Sequence, residues 1–394
     1  MFENLLEQSR VKEALSHDIK GNVLPPSLLF SGPRYSGKMT TALELMRVLN
    51  CRTEGAPWQC SCPGCQASRL LLQPHLLLLG KRAFYEDIAA SIDHFRREDR
   101  DPARYMLIRS TRKLLRRFDP VLWEGEEKKI SKGSKAIQEI NDFLIALEPG
   151  KDQLSEKEVE KGLAYLEKAV PDLEKLIPAT VPISQIRRIS SWSHRASGGV
   201  DQTKVVVMEK ADSMLESSRN ALLKLLEEPP ENLYLIMLTE RKRMIMPTIL
   251  SRVRNYSFDG RSAKVSREIV NRLYRQDASI HSLDDWFGQY RHSGEAQLTE
   301  LAESFLRDLC SREKVFPSRI FESIETADVP DFYQELFRVL RRWQRLAVKG
   351  DGGVPLRVME KWNGLLREAY HGVESLNQNP LLMLEASYYR MREL

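Results

Sequence analysis

Apolar positions change their spacing several times along the chain. Over residues 2–20, Leu5, Leu6, Val11, Leu15 and Ile19 fall mostly on one stripe, which predicts a helix. "SLLFSG" (27–32) is a short unbroken apolar run, read as a buried strand, and "TTALELMRVLN" (40–50) returns to helical spacing. "HLLLLG" (75–80) predicts a second strand just after Pro74. From about residue 81 to 178 charges are dense and strand-like runs vanish. Three helices are expected there, in "PARYMLIRSTRKLLRRF" (102–118), "SKAIQEINDFLIALE" (134–148) and "SEKEVEKGLAYLEKAV" (155–170). Strands resume at "KVVVMEKAD" (204–212) and "LYLIMLTE" (233–240), with the helix "ESSRNALLKLLEEPP" between them, stopped by Pro229 and Pro230. Beyond Phe258 the pattern is helix after helix, with breaks near 316–318 and at "KGDGGVP" (349–355). The alternation predicts an α/β domain with a parallel sheet, interrupted by a helical insertion and followed by all-α structure.

Composition adds bounds. A chain of 394 residues suggests two or three domains, and 42% hydrophobic with 29% charged residues is ordinary for a soluble protein. A net charge of +5 permits a phosphate-bearing partner without demanding one. Glu3, Glu7 and Arg10 interrupt any signal-peptide pattern, and no apolar run of about 18 residues is present, so a cytoplasmic protein is expected. The Arg-rich run 96–117 could meet phosphates, but a solvated or protein-packing helix face is the favoured reading.

Two motifs carry chemistry. "SGPRYSGKMTT" (31–41) follows the first strand and opens a helix, the setting in which a phosphate-binding loop gains meaning. Gly32, Gly37 and Lys38 fit the pattern G-x-x-x-x-G-K-[ST], but Met39 stands where a hydroxyl would hold Mg²⁺. Thr40 is one residue along, about 100° round the helix. The loop is either a nucleotide site without its metal ligand or a chance match. The second motif is "CRTEGAPWQCSCPGC": Cys51, Cys60, Cys62 and Cys65 can close a tetrahedral zinc shell with no open position, hence a structural role. Cys310 stands alone and is expected to be buried.

"NALLKLLEEPP" (220–230) followed by "PTILSRVRNYSF" (247–258) resembles the clamp-loader branch of the AAA+ ATPases, and "NQNPLLMLEASYYRM" (377–391) resembles the end of that family's collar domain. A cysteine module directly after the P-loop helix is characteristic of the bacterial gamma/tau and delta prime subunits, although Cys60 and Cys62 are closer together than usual. The resemblance implies a nucleotide-binding-like core over 1–260, with its zinc module at about 51–65 and the insertion at about 81–178. A helical lid (261–297) and a helical collar (298–394) would follow. The insertion has no counterpart in that likeness. Counting back from Asn220, Glu209 takes the position of the metal-supporting Asp of the Walker B strand and Lys210 that of the catalytic Glu. A register shifted by one would place Met208 and Glu209 there. Either damages the site, because a charged lysine accepts no proton and a thioether holds no hard cation.

By the same resemblance Arg252 matches the arginine finger that enters a neighbour's ATP site, Thr239 matches the sensor of the γ-phosphate, and Gln297 takes the place of the lid arginine. The implied role is a non-catalytic, delta prime-like subunit whose own site binds ATP or ADP weakly or not at all. Its partners would be gamma/tau, delta, the sliding clamp and, through the assembled ring, primed DNA. The chain ends on the collar-like segment, which fits this better than a tau-length form. Two alternatives stay open: an active gamma/tau-like ATPase using Thr40 and Glu209, and a zinc-containing nucleic-acid-binding module using the helix after Arg96.

Overall fold

The computed structural model describes residues 1–151, 154–195, 203–277, 279–291, 293–311, 321, 323–324, 329–348, 350, 353–376 and 378–394. Five strands form one parallel sheet: β1 (Ser27–Ser31), β2 (Leu76–Leu79), β3 (Lys204–Met208), β4 (Leu233–Thr239) and β5 (Arg254–Ser257), in the order β2-β3-β4-β1-β5. The apolar runs exist because both faces are covered. Leu29, Leu77, Val206 and Met237 face a cluster with Ile186, Ile189, Leu222 and Leu226. Their alternates Leu28, Phe30, Leu78, Val207 and Ile236 face Phe2, Leu5, Leu15, Met39 and Met46.

Two sequence expectations need correction. The first helix, α1, runs only over Ser9–Lys20, because Glu7 and Gln8 adopt left-handed backbone. Gln8 instead exchanges hydrogen bonds with the backbone of Asp259 at 2.7 and 3.0 Å, so Phe2 and Leu5 reach the core from an irregular segment. Strand β5 was not anticipated. As an edge strand it buries only Tyr256, and its charged and polar neighbours give no apolar run.

The glycine loop leads into α2 (Lys38–Leu49), and the cysteine segment ends in α3 (Pro63–Arg69). The insertion follows β2 as α4 (Phe84–Arg97), α5 (Asp101–Leu115), α6 (Pro120–Trp123), α7 (Ser134–Ala146) and α8 (Glu156–Leu176). Helix α8 passes through Pro171, five residues beyond which it ends. These helices enclose their own core of Phe84, Ile88, Phe95, Leu107, Leu166 and Leu173. Glu174 near the end of α8 accepts the Phe84 and Tyr85 amides at 2.5 and 2.6 Å, capping α4 from the far end of the insertion. The chain returns through α9 (Ile183–His194) to β3, and α10 (Glu216–Glu227) links β3 to β4. After the short α11 (Pro247–Leu250) and β5, α12 (Ala263–Tyr274) and α13 (Leu283–Phe287) bury Ile269, Tyr274, Trp286 and Phe287 in a cluster with Ala90 of α4.

The chain divides into two compact units, Met1–Tyr290 and Arg291–Leu394. The second is all-helical: α14 (Ser293–Cys310), α15 (Val329–Val348), α16 (Leu356–Leu376) and α17 (Pro380–Arg392). Phe305, Phe332, Leu336, Trp362 and Tyr388 fill its core, and Trp362 Nε1 donates to the Met391 carbonyl at 2.8 Å. Cys310, expected inside, is exposed at the end of α14, with its thiol 3.3 Å from the Leu306 carbonyl. The predicted break at 316–318 lies outside the described residues, as do 349, 351 and 352 of the second break. No helix among the described residues is long and apolar enough to cross a membrane.

Candidate nucleotide and metal sites

In open parallel sheets, ligands bind beyond the carboxyl ends of the strands. Three of those ends meet here. After β1, Gly32 (φ 153°) and Gly37 (φ 101°) hold backbone conformations that other residues rarely adopt. A Cβ at Gly32 would also lie 2.4 Å from the Phe258 carbonyl oxygen. Both positions therefore need glycine. The other parts of the loop do not follow the pattern. Met39 is buried in the sheet core beside Phe30, out of reach of a metal, and Thr40 is exposed. Lys38 bends back so that Nζ donates to the carbonyls of Gly32 (2.7 Å) and Pro33 (2.5 Å), with Ser36 Oγ at 3.4 Å. Burial pushes this ammonium down to about 8, against the opposing pull of Glu240 and Glu209.

Beyond β3, Met208 is buried between Leu79 and Met237, and Glu209 is the first polar residue past the strand. Its carboxylate is held by Arg117, whose Nε also donates to the Gly80 carbonyl at 3.0 Å, and Arg82 lies 3.6 Å away. Lys210 is exposed and left-handed (φ 50°). Beyond β4, the buried Thr239 donates to Asp212 at 2.7 Å, and Asp212 also accepts Arg241 Nε at 2.8 Å. Gly32, Gly37, Lys38, Glu209 and Thr239 thus share one end of the sheet. Arg252 sits elsewhere, exposed on the turn between α11 and β5, bonded to the Thr248 carbonyl and to Glu227 at 2.9 Å. Gln297 is an exposed residue of α14, in the second unit.

Sequence reasoning missed the residues that surround the glycine loop. Arg34 and Tyr35 occupy variable positions of the loop pattern, and both contact Glu86 Oε2 of α4, at 2.6 and 2.8 Å. Arg34 also meets Asp284 of α13 at 3.1 Å, and Tyr35 stacks on Phe287 with centroids 4.8 Å apart. No spacing rule flags Glu86, Arg82 or Arg117. The one signal was the Arg-rich run, which includes Arg117, and its later arginines pack against backbone. Arg109 donates to the carbonyls of Ser68 and Arg69, Arg112 to that of Leu70, and Arg116 to those of Leu71 and Gln73, all at 2.6–3.1 Å. These guanidiniums clasp carbonyls at and just beyond the C-terminal end of α3, so they are engaged by the protein's own backbone.

The four cysteines come together. Their sulfurs lie within 4.8 Å of one another, with Cys51 and Cys60 3.7 Å apart. A tetrahedron with Zn–S bonds of about 2.3 Å has an edge of about 3.8 Å, so the group can hold a metal ion and its spacing is compatible with zinc. A hydrogen bond with Thr53 pulls Cys60 down to about 6, toward the thiolate that a metal requires. Arg47 braces the module from α2. It pairs with Glu44 at 2.7 Å, donates to the Ala56 and Pro57 carbonyls, and reaches Cys65 Sγ at 3.1 Å.

The first unit is thus an α/β domain that carries a glycine loop at the carboxyl end of its parallel sheet and a four-cysteine module able to hold a metal ion. The family described as "DNA polymerase III, delta subunit" matches residues 111–262. A delta' subunit of DNA polymerase III from Bacillus subtilis is 30% identical over 112 residues, 28% of this chain and 33% of that protein. A gamma/tau subunit from Mycobacterium tuberculosis is 30% identical over 99 residues, 21% of this chain and 17% of that protein. The alignments therefore span a third or less of these relatives. A gamma subunit-related protein of DNA polymerase III from Thermotoga maritima has a solved structure with TM-score 0.31 and 21% identity, covering 54% of this chain and 80% of that one. Over these stretches the chain is similar to DNA polymerase III subunits of the delta' and gamma/tau kind.

Proposed function

We propose that this chain is a non-catalytic, delta prime-like subunit of the clamp loader, completing a neighbour's ATP site with Arg252 and helping to place a sliding clamp on primed DNA in the cytoplasm. One contrast carries the reading. The groups that would serve the chain's own hydrolysis are displaced or engaged: Met39 is in the core, Glu209 is held by Arg117, and no carboxylate stands at Lys210. Arg252, by comparison, stands on the surface in a pair that a partner can replace. A guanidinium supplied in trans stabilises developing phosphoryl charge and is worth about 10³–10⁵ in rate where it has been tested. Gamma/tau and delta would be its ring partners, the second unit its collar, and zinc at the four cysteines a structural brace.

The test is ATP turnover by the chain alone and by the complex reconstituted with gamma/tau and delta. No turnover alone, with stimulation on mixing that Arg252→Ala removes, is the expected result. Undiminished turnover of the complex with Arg252→Ala sinks the assignment. Because gamma/tau proteins match this chain at the same identity as delta', an active motor is the second reading. Turnover by the chain alone that depends on Lys38 would establish it.

A further inference from the structure

We propose that the helical insertion is a built-in occupant of the nucleotide cleft, fastening the glycine loop and the end of β3 into one arrangement that needs no nucleotide. The inference rests on reading residues 32–38 as a former phosphate-binding loop.

Both halves of such a site are tied to the same inserted segment. On the loop side, Glu86 of α4 holds Arg34 and Tyr35 together. On the strand side, Arg117 and Arg82 face the two carboxylate oxygens of Glu209, the position from which an active site supports its metal. Arg82 is itself anchored by Asp87 at 2.8 Å, and Lys113 approaches the same carboxylate at 3.5 Å. The Glu209 carboxylate is thus paired with guanidinium, and two side chains of the loop are held by a carboxylate of the insertion.

The residues after β5 join the same fastening. Arg261 lies against Gly37 and donates to the carbonyls of Tyr35 and Leu6. Asp284 takes the second face of Arg34. Asp93 of α4 accepts from Tyr290 at 2.8 Å and from Gln276 at 3.3 Å, and Arg97 donates to the Tyr274 carbonyl. For phosphates to enter, Lys38 would have to leave the Gly32 and Pro33 carbonyls. The Glu86 and Arg117 contacts would then have to break with their charges still desolvated, which is the costly way to open a buried ion pair. The depressed Lys38 pKa agrees with an ammonium held out of water.

Hydrogen exchange on the full-length chain, with and without millimolar MgATP, tests this. In the wild type, the exchange of amides 34–38, of which Ser36 donates to the Pro33 carbonyl, is not changed by nucleotide. Glu86→Gln keeps the shape and removes the charge from Arg34 and Tyr35. It speeds exchange of that segment by at least about tenfold, the equivalent of about 1.4 kcal/mol for a weakened charge-assisted hydrogen bond. Arg34→Gln reaches the same contact from the loop and gives the same acceleration, while exchange in α16 of the second unit stays unchanged. Protection of wild-type 34–38 by nucleotide overturns the proposal, as does an unchanged rate in either folded variant; the wild-type comparison decides alone if neither variant folds. The Arg252→Ala experiment is independent. Its failure removes the finger assignment and leaves the fastened cleft standing, and the reverse also holds.

Discussion

Two arginine–glutamate pairs in the first unit have the same chemistry and opposite settings. Arg117 and Glu209 are 1% and 12% exposed, enclosed by the insertion and the end of β2. Arg252 and Glu227 are 37% and 50% exposed on a surface turn. The buried pair is committed to the fold, since either charge alone would be desolvated and unpaired. Water can take over either partner of the exposed pair, so Arg252 can be redirected at little expense. Burial therefore separates arginines such as Arg117, which are committed to the fold, from exposed ones such as Arg252, whose pairs can be exchanged.

The largest effect expected from breaking that contrast is at the buried pair. Arg117→Met should lower unfolding free energy in urea by about 3–5 kcal/mol, and combining it with Glu209→Leu should recover most of the loss. If the double variant is no better than the single, the harm is lost packing and the two pairs differ less than argued. Glu174→Ala is intermediate. It strips the caps from the Phe84 and Tyr85 amides and should cost about 1–2 kcal/mol in the same measurement. Arg252→Ala should change stability by no more than about 1 kcal/mol, with the difference shrinking in high salt.

His94 of α4 sharpens the comparison with the smallest effect. Unlike Arg117 it can shed its charge. Burial, with Arg97 and Arg275 nearby, lowers its pKa below the usual 6.5 against the pull of Glu98 and Asp93. Tyr274 packs edge-on against the ring, and Nδ1 has no hydrogen-bond partner among the described residues. The unfolded state therefore takes up this proton first. Stability should fall as pH drops through 6.5 toward the folded pKa, and His94→Asn should remove that portion of the slope.

Strands β1 to β4 were legible because burial on both faces writes a continuous apolar run, and α5, α7 and α8 because each has one apolar stripe; α4 and the short α6 of the insertion were not anticipated. Strand β5 was not, since an edge strand leaves no such run. The cysteines were legible because close spacing in sequence becomes close spacing in space. The interior of the glycine loop was opaque. Arg34 and Tyr35 meet Glu86 some fifty residues on, and Glu209 meets Arg117 across 92 residues, distances over which no local pattern operates. The Arg-rich helix showed its charge but not its acceptors, because backbone carbonyls leave no mark on composition.

The hydrogen bonds from Phe84 and Tyr85 to Glu174 mean that the insertion leaves the core almost where it enters. Strands β2 and β3 pair directly beneath it, Leu77 beside Val206, as though nothing intervened. A segment with adjoining ends closes a short loop at little entropic cost, although Leu122 and Trp123 of α6 still lend themselves to the sheet's core. Deleting the insertion would leave Glu209 without Arg117 and Arg82, and Arg34 without Glu86.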